Sequence, residues 1–152
     1  MKFLGNILWH FPFFGFVQAA IVYIFGALLT LTVVAAPIGL GLMEYGKFLF
    51  WPFGHAMIDK KDLNIDQNKL WRAYSFVIKI IYLPFGILFS IALVISVFGL
   101  LISIIGIPHA LVLAKSLGTY FNPVNKKCVS SSVVLEIERR KAADYVANQW
   151  NK

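Results

Sequence analysis

The chain has 152 residues, 59% of them hydrophobic and 14% charged, and a net charge of +7. Soluble domains of this size carry about 25% charged residues, so the composition excludes an ordinary soluble globule. The basic excess falls in two polar segments, which fits placement beside a membrane surface and not nucleic-acid binding.

From Phe3 to Ile58 the only charged residues are Glu44 and Lys47, and from Ala73 to Pro123 only Lys79 and Lys115. Each run exceeds 50 residues, and one transmembrane helix needs about 20. Each run therefore predicts two spans and a tight turn. Lys2 before an apolar stretch invites a signal-peptide reading, but that stretch runs far past a short h-region into a second apolar segment.

In chain order, spans are predicted at Leu4 to Phe25, Ala27 to Phe50, Tyr74 to Phe98 and Leu100 to Phe121. The turns fall at Phe25-Gly26 and Phe98-Gly99, where glycine tolerates positive φ. Pro37 and Pro108 then sit inside helices and kink them. An alternative puts the turns at Pro37 and Pro108. It leaves Ile38 to Trp51 too short to cross, hence re-entrant or interfacial. Full spans are the favoured expectation.

The loop from His55 to Ala73 carries Lys60, Lys61, Lys69 and Arg72; the tail carries Lys126, Lys127, Arg139, Arg140 and Lys141. Two parallel hairpins put both segments and the N-terminus on one side, which the positive-inside rule makes cytoplasmic. Trp9, Trp51, Trp71, Tyr74 and Tyr120 fall near that interface. Asp66 is a candidate cap for a turn carrying Leu70 and Trp71. A tail helix is expected from about Glu136 to Trp150, with Glu136 and Arg140 paired at i+4; it is either solvated or docked on lipid or another subunit. The expected fold is an all-α membrane protein of four transmembrane or partly re-entrant helices, in two parallel-oriented hairpin repeats, with a cytoplasmic C-terminal helix. The units are residues 3–54, connector 55–73, residues 74–128 and basic tail 129–152.

The repeat rests on a shift of 71 residues that aligns Pro37 with Pro108, Pro52 with Pro123, Gly15 with Gly86 and Thr32 with Ser103. Asn6-Ile7-Leu8-Trp9, Thr32-Val33-Val34-Ala35-Ala36-Pro37-Ile38-Gly39, Lys47 and Trp51-Pro52-Phe53-Gly54 mark the first copy. Ile102-Ser103-Ile104-Ile105-Gly106-Ile107-Pro108 and Lys115 mark the second. This set resembles the YccF family of small bacterial inner-membrane proteins, which carry two copies of an inner membrane component domain. The likeness extends over roughly residues 3 to 128. Ala35-Ala36 stands where the family tends to Gly-Ile, and Asn122-Pro123-Val124-Asn125 replaces a second Trp-Pro-Phe-Gly. The resemblance implies a multi-span inner-membrane protein and carries no catalytic or ligand residues across.

The same shift maps Glu44 onto Lys115. In parallel repeats the two lie at similar depth and could pair across the repeat interface, or line an ion or proton path. The plainer alternatives are a structural pair, pairing of Glu44 with Lys47, or snorkelling. Gly106, Ala110, Ala114 and Gly118 recur every four residues and form a groove for close helix approach, within the chain or between subunits. His10, His55 and His109 lack metal-ligand spacing, and Cys128 is the only cysteine, so no metal site, internal disulfide or cofactor is expected. Gln18, Thr30, Thr32 and Ser103 can hydrogen-bond along or between helices. No nucleophile elbow, P-loop or paired carboxylates occur in the spans, so no enzyme is expected. The expected function is a non-enzymatic membrane module, oligomeric or bound to a membrane-protein partner. The alternative is a subunit of an oligomeric ion channel or small-solute transporter.

Overall fold

A computed structural model describes residues 2–150; Asn151 and Lys152 of the expected tail lie outside the described residues. Six α-helices run α1 Lys2–Phe13, α2 Gly15–Leu31, α3 Ala36–Phe50, α4 Lys69–Leu101, α5 Ile107–Phe121 and α6 Ser131–Trp150. Two strands, β1 His55–Asp59 and β2 Lys126–Ser130, pair as an antiparallel ribbon. The fold is therefore mostly helical and not all-α. Neither strand alternates apolar and polar residues, so the sequence carries no period-2 signal for them.

The turns lie at residues 32–35 and 102–106, while Gly26 and Gly99 are inside helices. This overturns the turn positions of the favoured expectation and comes close to the alternative, with each turn just ahead of its proline. Pro37 and Pro108 do not kink helices. They occupy the first turns of α3 and α5, where a missing N–H costs nothing and the fixed φ suits the helix. α3 and α5 have 15 residues each, about 22 Å of helix against a hydrocarbon core of about 30 Å. α4, with 33 residues, is the one helix among those described that is long and apolar enough to cross alone. α1 and α2 pass the same test only together, across an 80° bend. Four separate spans are thus not what the helices provide.

That bend sits at Phe14, whose φ is 50°. Gly15 follows it because the Trp9 ring occupies the space a Cβ would need. Position 85, 71 residues on, lies inside unbroken α4. Asn68, and not Asp66, caps α4: its Oδ1 accepts from the Leu70 N–H at 3.3 Å. α6 begins at Ser131, five residues before the expected Glu136.

α2 and α3 form a tight hairpin. A Cβ on Gly39 would meet the Gly26 carbonyl and the Thr30 backbone; one on Gly46 would meet Tyr23 and the Ala19 carbonyl. Ala19 and Gly26 face Gly39 and Gly46, each pair seven residues apart, so two turns of backbone meet without intervening side chains. α4 and α5 make the second hairpin, where Gly86 accommodates the Phe121 carbonyl.

The two hairpins point in opposite senses, contrary to the parallel arrangement expected. The tip of the first is tied to the start of α4, where the Tyr74 hydroxyl donates to the carbonyls of Val33 at 3.0 Å and Val34 at 2.6 Å. The tip of the second hangs from the far end of α4, roughly 40 Å of helix away. α3 and α5 accordingly cross head to tail: Tyr45 meets Tyr120 edge-on at 5.7 Å, and Gly41 packs on the Pro123 carbonyl. The ribbon explains this. Each strand follows its helix after four residues, so strands that pair antiparallel bring their helices in antiparallel.

Candidate functional site

The polar chemistry gathers where the hairpins cross beside the ribbon. Its floor is a core of Trp9, Ala19, Tyr45, Phe48, Leu49 and Val112. Trp9 Nε1 donates to the Leu49 carbonyl at 2.9 Å, and the Tyr82 hydroxyl donates to the Tyr120 carbonyl at 3.1 Å. Positions 49 and 120 are 71 apart, so an aromatic donor satisfies the same orphan carbonyl at both helix ends.

Register places Met57 opposite Cys128. The bonds Lys60 N→Asn125 O and Ser131 N→Gly54 O fix the phase and make Met57–Cys128 a non-hydrogen-bonded pair. The Cys128 N–H therefore points out of the ribbon, and Glu44 Oε2 accepts it at 3.0 Å. The other Glu44 oxygen takes Lys47 at 2.5 Å. Lys115 has no acceptor to offer. Its ammonium donates to the Pro52 carbonyl at 3.0 Å and lies 5.8 Å from the Phe53 ring centroid.

Glu44 and Lys115 are thus not brought together as a pair. Each reaches the backbone that follows the opposite helix. Glu44 and Lys47 do pair, as the plainer alternative had it. Burial and the Glu44 carboxylate push the Cys128 thiol up to about 11, so it is a poor nucleophile at neutral pH.

The small-residue row of α5 is split. Gly106 and Ala110 are buried, Ala110 to 1% exposure, while Ala114 and Gly118 face outward. The first hairpin packs closely through Gly26 and Gly39 instead, a spacing that the sequence reading passed over. His109 packs between Trp9 and Phe13 with its ring tilted to both, centroids 4.9 and 4.7 Å away. Thr30 bonds back to the Gly26 carbonyl and Thr32 to the Leu29 carbonyl. Among the described residues, no three His, Cys, Asp or Glu side chains lie close enough to share a metal ion.

Two concavities flank the crossing. An apolar groove of about 700 Å³ is bordered by Phe25, Leu29, Ile38, Tyr82, Phe85 and Phe89. A polar cavity of about 340 Å³ lies where the connector meets α4 and the link after α5. Beside this cavity, Lys126–Asp59 at 3.3 Å joins the two strands and Lys141–Asp62 at 2.9 Å joins the tail helix to the connector.

No match is found among curated proteins or among solved structures. Residues 4–55, from α1 through the first hairpin to the start of β1, match the family model of the YccF inner membrane component domain, and that likeness associates the chain with the bilayer of an inner membrane.

Proposed function

We propose that the chain is a non-enzymatic integral membrane module, built from two diverged copies of one hairpin–strand unit and working as an oligomer or on a membrane-protein partner. The observation that carries this is α4: its most apolar stretch is only 11% buried within the chain. So much unpartnered apolar surface needs lipid or protein against it. The tip of the second hairpin adds to this, with Ile102 at 89% and Ile104 at 86% exposure. The double-copy reading is supported by α3 and α5, and by β1 and β2, whose bounds coincide under a shift of 71 residues. Ala114 and Gly118 face outward at the spacing that lets a second helix approach closely. A pore would need its charges free to face a path, whereas Glu44 and Lys115 are bound to backbone. In this reading α3 and α5 do not cross the bilayer on their own, and the ribbon and tail lie on the cytoplasmic side.

The test joins native mass spectrometry in nanodiscs with labelling of Ile104→Cys in a Cys128→Ser background. Two or more subunits, or a crosslinked partner in native membranes, together with a cysteine closed to impermeant maleimide from both faces, is the expected result. A lone subunit without a partner, or labelling from the outer face, overturns it.

A further inference from the structure

The polar cavity beside α4 has no part in the latches at the crossing. Lys60, Lys61, Arg72 and Lys79 line it, with Asp59 and Asp66 as the only carboxylates among the residues lining it. Asp59 is already bridged by Lys126. None of the four cations forms an ion pair among the described residues. The remaining lining is rich in side-chain amides: Asn64, Gln67, Asn122 and Asn125. Such a set offers several N–H donors and an excess of positive charge.

The walls are built, not draped. Lys60 N donates to the Asn125 carbonyl at 2.9 Å, and Gln67 Nε2 donates to Asn125 Oδ1 at 3.2 Å. Asn64 and Asn125 hold left-handed φ of 51° and 61°, a conformation Asn adopts more readily than other side chains. Asn122 is buried and fixed by the Val124 N–H at 3.2 Å. The connector is therefore folded against the end of α5.

Position along α4 identifies the anion. Arg72 and Lys79 are seven residues apart and share one helix face. After Lys79 no charged residue follows until Lys115. The cavity thus sits where α4 passes from polar to apolar surroundings, the level at which a bilayer presents its phosphates. Basic clusters at that level read as anionic-lipid sites.

We propose that this cavity binds the phosphate group of an anionic phospholipid, with Arg72 and Lys79 as its principal cations and Lys60 and Lys61 closing over it from the connector. The shared chemistry is a phosphate oxyanion, and the committed source is the lipid. The proposal rests on the bilayer reading but can fail while that reading stands, since a protein can be membrane-embedded without preferring any headgroup.

The experiment uses the full chain in nanodiscs of phosphatidylcholine doped with phosphatidylglycerol, with retained phosphatidylglycerol counted by native mass spectrometry. Arg72→Gln and Lys79→Gln are each expected to lower retention about fivefold, the equivalent of ~1 kcal/mol per basic residue. Lys127→Gln, on the ribbon outside the cavity, is the control and is expected to change nothing. Inorganic phosphate at millimolar concentration forms the second arm and is expected neither to bind nor to displace the lipid. Arg72→Lys keeps the charge and should recover most of the retention, which separates lost binding from lost folding. Unchanged retention in both Gln variants overturns the proposal, as does an equal loss in Lys127→Gln. Displacement by inorganic phosphate overturns the lipid assignment. In every one of these outcomes, carbonate-resistant membrane residence still reports separately on the bilayer reading.

Discussion

Replacing Glu44 with alanine removes two contacts of different worth. The carboxylate accepts the outward Cys128 N–H at 3.0 Å, and a hydrogen bond to a charged group contributes about 1.5–3 kcal/mol. Cys128 is partly exposed, so water replaces some of that, leaving ~1–2 kcal/mol. The Lys47 bridge has its lysine half exposed and adds at most about 0.5 kcal/mol. Lys115→Met keeps the aliphatic stem but loses the Pro52 bond and the Phe53 contact, together ~1–1.5 kcal/mol. The latches share no partner, so the double variant should show the sum of the single losses to within about 0.5 kcal/mol. Unfolding in mixed micelles, followed by tryptophan fluorescence, measures all three. A coupling above about 1 kcal/mol would refute the geometry, because it would mean that Glu44 and Lys115 lean on each other after all. Cys128 gives a second readout. With its thiol at about 11, thiolate is about one part in a thousand at pH 8, against about one in ten at an unshifted 9. Glu44→Ala removes the smaller of the two causes that raise it and leaves Lys47, which lowers it, so maleimide labelling should quicken about three- to tenfold and not reach the unshifted rate. The folded state holds this proton more tightly than the unfolded chain. Its contribution to stability is complete below pH 9 and is lost as pH rises from 9 to about 11.

Met57→Cys should form an intrachain disulfide with Cys128 on mild oxidation, because non-hydrogen-bonded pairs bring Cβ atoms closest; Ala56→Cys should not, and equal bridging on non-reducing gels would refute the register. Val33 sits at φ 58°, a conformation costing a β-branched residue roughly 1–2 kcal/mol, so Val33→Gly should stabilise by about 1 kcal/mol, whereas Tyr74→Phe should destabilise by a similar amount and speed amide exchange at the tip. A Val33→Gly protein that is less stable would remove the argument. Gly39→Leu should lower stability by ~3 kcal/mol or abolish folding, since backbone occupies the space. Ala114→Leu should leave the monomer's unfolding unchanged while weakening self-association; a destabilised monomer would show that this position packs inside the chain.

Much of the helix layout was legible, and the part that failed did so for a definite reason. Apolar runs fix where helices can be, but a run of more than 50 residues does not say where it turns. The favoured turns used Gly26 and Gly99 as breakers, yet those glycines lie inside helices, and Gly26 is needed for close approach to Gly39. The prolines were the better markers, because a proline followed by an apolar period marks a helix's first turn more often than its middle. The hairpins' relative direction could not be read at all. It is set by the ribbon, and HAMID and KKCVS carry no alternation to betray a strand. Equal depth for Glu44 and Lys115 was argued from parallel hairpins alone, and the opposite senses of the hairpins remove that argument. Lys60, Lys61 and Arg72 were noticed only as loop charge and Lys79 only as a charge within an apolar run, since Arg72 and Lys79 become neighbours of Asn122 and Asn125 through long-range pairing alone.

The pseudo-symmetry also accounts for the divergence of the two charged positions. A two-fold axis through Met57 and Cys128 exchanges the strands, so the Cys128 N–H has its counterpart in the outward Met57 N–H, and Glu44 has its counterpart in Lys115. Two identical carboxylates could cap both N–H groups. Two identical lysines could reach both post-helix carbonyls, at Pro52 and Pro123. The chain uses one of each, and the Pro123 carbonyl is covered instead by Gly41. Val112 stands at the position equivalent to Gly41 and is wholly buried, so the same close approach is barred on the other side and Pro52's carbonyl is left to Lys115. The crossing is therefore tighter against α3 than against α5. A Val112→Gly, Lys115→Glu variant would restore the first-copy pattern at both places. If the axis governs the crossing, this variant should recover stability relative to Lys115→Glu alone; a further loss would mean that the halves have repacked too far for the symmetry to matter.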